Sequence, residues 1–160
     1  MIEIVEPGTF KIVKKSPIVL KTGSLVAGIA IGILDKKNKV IGLLSYIFPH
    51  KEFDLEIDGN LFLSGESVLP LFFQELEKNQ IDFNSTKIVV AGANCYRDFP
   101  SELDLAERNK KVAHYFLKNS GIIEENILYE TQMSFPSILE VNLEKEEISI
   151  EYLGMRVVLW

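Results

Sequence analysis

The sequence has little of what most catalytic and metal-binding signatures are built from. Its 160 residues include one cysteine and two histidines. A single cysteine excludes an intramolecular disulfide and a metal knuckle of paired cysteines. The GxGxxG, P-loop, HExxH, GxSxG and calcium-loop patterns are also missing, so the enzyme classes that depend on them are not indicated. We expect neither a cofactor nor a bound metal ion.

Positive charge and long apolar runs are scarce as well. Lysine and arginine number 17 against 23 aspartates and glutamates, a net charge of −6. That balance disfavours nucleic acid as a partner, because phosphate binding draws most of its affinity from basic side chains. The longest apolar stretches, 25–34 and 40–48, are far shorter than the roughly 20 residues of a membrane helix. Residues 1–7 lack the features of a signal peptide, so we expect a cytoplasmic protein with no membrane insertion.

What is present is the composition of an ordinary folded domain. Hydrophobic residues make up 47% of the chain and charged residues 25%. No repeat, low-complexity tract or proline-rich linker divides the sequence, and its length suits one hydrophobic core. We therefore interpret residues 1–160 as a single domain.

The two apolar stretches predict a buried β-hairpin. They flank the charged turn 35–39, and isoleucines alternate with small residues in the first stretch, which favours strand over helix. Glycines at 28 and 32 leave little side chain on one face of that strand. We therefore expect another element to pack closely against this face.

Two helices and several more strands follow. Apolar residues at helical spacing predict a helix over 64–79, and Ser67 as its N-cap would place Pro70 in the first turn, where proline is tolerated. A second helix is predicted over 103–119. The predicted strands are 86–93, 126–131, 137–143, 147–153 and 155–159. Strands before, between and after two helices indicate a mixed α/β class.

Residue types alone offer weak candidates for chemistry. Cys95, the one thiol, follows the strand 86–93, where a lone cysteine is more often a packed apolar residue than a nucleophile. His50 follows the second hairpin strand, and His114 lies in the second predicted helix. Neither histidine flanks a carboxylate cluster at metal-ligand spacing.

Several short segments nevertheless occur in a characteristic order along almost the whole chain. They are Leu20-Lys21-Thr22-Gly23-Ser24, 29–35, 42–49, the proline-containing helix 67–76, the glycine-rich strand end 87–93, the pair Arg108-Asn109 and the pair Glu130-Thr131. In this order and spacing they resemble the CheD family, the chemoreceptor glutamine deamidases of bacterial and archaeal chemotaxis.

The resemblance implies a fold and a chemistry. The fold would be a three-layer α/β/β arrangement of two mixed β-sheets, with two main helices covering one of them. The chemistry would be attack of a cysteine thiolate on a glutamine carboxamide, giving a thioester and ammonia, with a histidine as base and backbone N–H groups holding the oxyanion. The family threonine corresponds to Thr22, the cysteine to Gly28 and the histidine to Tyr46.

Two of these three positions depart from the family pattern. Glycine offers no nucleophile, and tyrosine, with a pKa near ~10, is a poor base at neutral pH. We therefore expect a scaffold that has lost its catalytic residues, with the ring of Tyr46 buried and its hydroxyl bonded. The resemblance implies chemoreceptors and/or a CheC-type phosphatase as partners, bound in a cleft that includes Thr22, a small floor at Gly28 and an aromatic wall at Tyr46.

Two alternatives stay open. One is an active deamidase with a relocated nucleophile, Cys95, assisted by His50 or His114. The other is a domain that shares only its architecture with the family and has no chemotaxis partner, because a fold does not dictate a function.

Overall fold

The protein is described here by a computed structural model that covers residues 1–95 and 100–160. The described residues form two α-helices, α1 (Gly65–Lys78) and α2 (Pro100–Lys118), and twelve strands. The strands are β1 (Ile2–Val5), β2 (Thr9–Val13), β3 (Val19–Thr22), β4 (Ile29–Asp35), β5 (Val40–Tyr46), β6 (Leu55–Ile57), β7 (Asn60–Phe62), β8 (Lys87–Gly92), β9 (Ile127–Thr131), β10 (Ile138–Asn142), β11 (Glu147–Tyr152) and β12 (Met155–Val158).

The predicted hairpin forms the centre of the molecule. Strands β4 and β5 pair antiparallel, from Ile29 opposite Tyr46 to Asp35 opposite Val40. They lie inside a five-stranded sheet, the central sheet, with the order β2-β5-β4-β8-β9. Every residue of β4 and β5 is buried, which explains why both strands read as nearly continuous apolar runs. The buried hairpin is confirmed.

Both helices cover one face of the central sheet. The apolar side of α1, including Phe72 and Leu76, and the small residues Ala106 and Ala113 of α2 join one core cluster with side chains of β4, β5 and β8. Burying a side chain such as Phe72 stabilises the fold by about 1.5–3 kcal/mol. Amphipathic spacing therefore located both helices correctly.

A second sheet, the outer sheet, packs on the opposite face. Its strand order is β1-β3-β10-β11-β12. A Cβ added at Gly32 would lie 2.9 Å from Val141 Cγ2 of β10, so the outer sheet makes the close approach expected at this glycine. Helices, central sheet and outer sheet together form the expected three-layer α/β/β arrangement, and the mixed α/β class is confirmed.

The start of α1 differs from the prediction. Ser64, not Ser67, is the N-cap, so Pro70 lies in the second turn of the helix instead of the first. Pro70 is exposed, and the carbonyl of Glu66 that loses its partner is therefore on the solvent side. The prediction of Ser67 as N-cap was wrong because the chain enters the helix three residues earlier, bonded by Gly65 N–H to Phe48 O.

Some short strands were not predicted. Among them, β6 and β7 form a separate two-stranded hairpin between β5 and α1. Asp58 and Gly59 turn this hairpin with φ of 51° and 80°, the conformation that an Asp-Gly pair favours in a two-residue hairpin turn. Within the described residues, neither helix combines the length and the apolar composition that crossing a bilayer requires.

Candidate functional site

A cleft opens where β4 begins and β5 ends. It has a volume of about 430 Å³ and is lined by Pro7, residues 24–28, residues 45–47 and Glu102. Because Ile29 pairs with Tyr46, the preceding Gly28 lies beside the end of β5. The structure thus brings together Gly28 and Tyr46, the two positions that correspond to the family nucleophile and base.

Gly28 leaves no room for a side chain. A Cβ built on it would lie 2.9 Å from the carbonyl oxygen of Tyr46, closer than real Cβ atoms approach backbone. On its other side, the Ala93 N–H donates to Gly28 O at 2.8 Å, so the segment is fixed to the end of β8. The floor of the cleft is therefore bare backbone, and a thiol at this position would require the two strands to shift.

Tyr46 is part of the core. Its side chain is fully buried, and its hydroxyl donates to Asn109 O of α2 at 2.7 Å. Its ring fills the space beside Gly65 of α1, where an added Cβ would lie 2.7 Å from Tyr46 Cε2. Burial raises the pKa of this hydroxyl far above its usual value, so it stays protonated and cannot serve as a base at neutral pH.

These contacts confirm the expected burial of the Tyr46 ring with a bonded hydroxyl. They also correct the expectation of an aromatic wall. The ring is sealed under α1 and α2, so Tyr46 offers backbone to the cleft and no exposed aromatic surface.

Thr22 lies at the end of β3 in the outer sheet and does not line this cleft. It is buried, and its Oγ1 accepts a hydrogen bond from the Leu139 N–H at 3.0 Å. The hydroxyl thereby provides the acceptor one residue beyond Lys21, the last residue of β3 that pairs with β10. In this structure Thr22 has a role in joining strands.

Asn109 of α2 connects the two sides of the cleft. Its side-chain Nδ2 donates to Ala27 O at 2.9 Å and to Ile47 O at 2.6 Å. These carbonyls belong to the residue before Gly28 and the residue after Tyr46. Within the part of the chain that the structure describes, Asn109 Oδ1 is buried without a hydrogen-bond partner, so the amide acts purely as a double donor. Asn109 therefore holds the two strand ends at a fixed separation.

Asn94 fixes the same segment from the end of β8. Its Nδ2 donates to Leu25 O at 3.0 Å and to Ser137 Oγ at 3.1 Å, while its Oδ1 accepts from the Met133 N–H at 3.0 Å. Its backbone N–H donates to Val26 O. Together with the bonds from Ala93 and Asn109, every carbonyl of residues 25–28 has a donor. Neither asparagine side chain was expected from the sequence to have a role at the site.

The other candidate residues lie in different surroundings. Cys95 is partly buried after β8, and its backbone N–H donates to Met133 O at 3.1 Å. His50 lies beside the start of α1, with Nδ1 at 3.0 Å from Glu66 Oε1 and Nε2 at 3.4 Å from Arg108 Nη1. The Nδ1 atom of His114 lies 3.2 Å from the hydroxyl oxygen of Tyr129. The two imidazoles thus face different neighbours, and neither lines the cleft at Gly28.

Comparison with known proteins supports the fold and leaves the function open. No family model matches the chain, and no curated protein matches it. The chain is similar to the crystal structure of the Bacillus licheniformis hypothetical protein YfiH, with a TM-score of 0.51 and 8% sequence identity. The similarity covers 78% of this chain and 51% of that one, so this chain spans about half of its neighbour's length. At this identity the likeness concerns the architecture alone.

Proposed function

We propose that the protein is a non-catalytic, CheD-like adaptor of a cytoplasmic chemotaxis pathway. It binds chemoreceptors and/or a CheC-type phosphatase through the cleft where β4 begins and β5 ends. The observation that carries this proposal is the pair Gly28 and Tyr46: the positions that resemble the family nucleophile and base lie side by side, and one lacks a reactive atom while the other has its hydroxyl sealed in the core.

The loss of chemistry follows from these two residues. Amide hydrolysis of this type needs a nucleophile and a base within hydrogen-bond reach of each other. Removing either group costs many orders of magnitude in rate. Because Tyr46 remains protonated and Gly28 provides only backbone, the remaining groups of the cleft can bind but cannot start the reaction.

The cleft itself is well built for binding. Its floor is fixed by hydrogen bonds from Asn94 and Asn109, so little order is lost when a partner docks. Its lining is mostly small or apolar, and among the residues that the structure describes Glu102 is its one carboxylate. Such a surface accepts a protruding side chain from a partner helix.

The direct test is a calorimetric titration of the protein with the chemoreceptor signalling domains and CheC-type proteins of its own organism. We expect saturable binding to at least one of them. Ser24→Trp, which places a large ring on the exposed lining of the cleft, should weaken that binding. Lys36→Trp, at the opposite end of β4, is the matched control and should leave it unchanged. Absence of binding to every one of these proteins would remove the proposal.

A Cys95→Ser variant tests the alternative of a relocated nucleophile. The adaptor proposal expects neither the wild-type protein nor this variant to release ammonia from receptor peptides. Release by the wild-type protein and not by Cys95→Ser would establish the deamidase alternative and overturn the adaptor.

A further inference from the structure

Exposed apolar side chains are concentrated next to the cleft. Within the described residues, five large apolar side chains between positions 47 and 57 are 38–53% exposed. They are Ile47, Phe48, Phe53, Leu55 and Ile57, and we call them the hairpin patch because they lie on or beside the β6–β7 hairpin. Leu61 pairs with Glu56 and so lies on the other face of this hairpin. A contiguous exposed apolar surface of this kind on a folded domain marks an interaction site.

The hairpin patch is continuous with the cleft. A groove of about 190 Å³ runs between Pro7 and the β6–β7 hairpin and is lined by Phe48, Phe53 and Leu55. The same groove shares Pro7 and Ile47 with the lining of the cleft at Gly28. A partner that enters the cleft would therefore extend over the patch.

The base of the hairpin patch is held in place before any partner binds. The rings of Phe48 and Phe53 stack with their centroids 5.1 Å apart. The Asp54 carboxylate accepts hydrogen bonds from Ser64 N–H at 2.7 Å and Ser67 Oγ at 2.6 Å, which fixes the hairpin to the start of α1. Fixed aromatic side chains are the usual energetic anchors of protein interfaces, because few rotamers are lost on binding.

Charge restricts what can cover this surface. Carboxylates at Glu52, Asp54, Glu56 and Asp58 alternate with the apolar residues along the chain, and in β6 this places Glu56 on the face of the hairpin opposite Leu55 and Ile57. Lys51 is the one lysine or arginine between residues 47 and 62, so the segment as a whole is acidic. An anionic membrane would be repelled. A second copy would place the same carboxylates opposite each other in a symmetric dimer, which is unfavourable. The complementary partner is apolar along its centre and basic along its edges.

We infer that the hairpin patch is a docking surface for an amphipathic helix of a partner protein, with an apolar face flanked by lysine or arginine. The apolar face covers Phe48, Phe53 and Leu55, and the acidic segment 52–58, which includes Glu52 and Glu56, attracts the basic flanks. This inference rests on the proposed function only in placing the same partner in the adjoining cleft.

The probes are two synthetic helical peptides with the same apolar face of leucine and phenylalanine. One carries lysine on both flanks and the other carries glutamate. We expect the wild-type protein to bind the lysine peptide, more weakly as salt is raised, and to reject the glutamate peptide. The double variant Leu55→Gln/Ile57→Gln should weaken binding at least about tenfold, as loss of interface anchors does.

Two matched variants sharpen the test. Leu153→Gln/Met155→Gln makes the same chemical change at exposed positions of the β11–β12 hairpin and should leave binding unchanged. Glu52→Lys/Glu56→Lys reverses charge beside the patch and should exchange the preference, so that the glutamate peptide now binds better. Equal thermal unfolding of all variants verifies that the fold is retained.

The outcomes separate this inference from the proposed function. Binding of the lysine peptide without binding of any receptor or CheC-type protein would remove the proposed function and leave the docking surface standing. The docking surface is overturned if the wild-type protein binds neither peptide or if the charge reversal has no effect. It is overturned equally if the wild-type protein binds anionic vesicles, or forms a dimer as its concentration rises, and Leu55→Gln/Ile57→Gln abolishes that behaviour.

Discussion

The floor of the cleft and the hairpin patch are neighbours that use their residues in opposite ways. At residues 25–28 every carbonyl is hydrogen-bonded by the protein itself, and Tyr46 beside them is fully buried. One residue further on, Ile47 is 42% exposed, and the chain begins a stretch whose apolar side chains face solvent. In the first region the backbone carbonyls have hydrogen-bond partners within the protein, whereas in the second region the apolar side chains are exposed to solvent.

Under the proposed function, this contrast assigns the two regions different contributions to binding. A cleft whose backbone is fixed from two sides gives shape but few new contacts, because its polar groups already have partners. An exposed apolar surface next to it gives area that can be removed from water on binding, at about 25 cal/mol per Å² before the cost of association. We therefore expect mutations in the floor of the cleft to change the stability of the fold and mutations in the hairpin patch to change binding.

The largest effect on stability is expected from Asn109→Ala. It removes the donors to Ala27 O and Ile47 O and leaves two carbonyls unpaired at the base of the cleft. We expect a loss of about 2–4 kcal/mol in the free energy of unfolding, measured by urea denaturation. Arg108→Ala, on the exposed side of the same helix, should cost less than about 0.5 kcal/mol. Equal costs for the two variants would mean that Asn109 does not fix the strand ends.

A smaller effect is expected from Gly28→Ala. The added methyl group would meet Tyr46 O at 2.9 Å, and backbone would have to move. We expect a cost of about 1–3 kcal/mol, typical of overpacking. Gly23→Ala is the matched control, because an added Cβ there has nothing within 4 Å, and it should be neutral or slightly stabilising. If Gly28→Ala were equally neutral, the cleft floor would be less rigid than its contacts indicate.

The two helices and the buried hairpin were predictable from periodicity, whereas the three-layer arrangement was implied only by the family resemblance. The β4–β5 hairpin is buried on both faces, so its sequence is apolar without interruption. Helix α1 buries one side and exposes the other, so its apolar residues recur at helical spacing. Such patterns involve residues that are close together along the chain, so they can be recognised from a single sequence.

The structure of the site was harder to predict, because its key contacts join residues distant in sequence. Asn109 bonds to carbonyls 82 and 62 residues away, and neither its place in the Arg108-Asn109 pair nor its helical spacing indicates those partners. The burial of the Tyr46 ring depends on Gly65 of α1, which lies in a different element. By contrast, the β6–β7 hairpin was not predicted although it has a local signal, Asp58-Gly59 between apolar residues.

The third effect links pH to the base of the hairpin patch. Desolvation raises the pKa of Asp54. Hydrogen bonds from Ser67 and Ser64 and the charge of Lys51 outweigh desolvation, so this pKa is lowered below its usual value. A lowered carboxyl pKa gives stability that is present above the unfolded pKa of about 3.9 and is lost as pH falls through the folded value. Asp54→Ala should therefore destabilise the protein by about 1 kcal/mol at neutral pH, the usual net contribution of a hydrogen bond.

The measurement is urea unfolding of wild type and Asp54→Ala from neutral to acidic pH. The difference between them should shrink as the pH falls from the unfolded pKa of about 3.9 through the lower folded pKa, because the carboxylate becomes protonated over that range. Glu52→Ala, in the same segment, is the control and should show a smaller difference at neutral pH. A difference for Asp54→Ala that stays constant with pH would contradict the role of its charge.

The smallest effect on stability is expected from Leu55→Gln/Ile57→Gln. Both side chains are 53% exposed, so each change should alter the free energy of unfolding by less than about 0.5 kcal/mol. If the two regions differ as described, this variant folds normally and binds the partner helix less tightly. A strongly destabilised variant would show instead that the patch supports the fold and is not a free surface.

The proposed function requires that the cleft binds a partner and performs no chemistry on it. The most direct measurement is mass spectrometry of a receptor signalling domain recovered after prolonged incubation with the wild-type protein. We predict that every glutamine of the receptor keeps its amide. A gain of mass at a receptor glutamine, showing conversion to glutamate by the purified protein, would contradict the account.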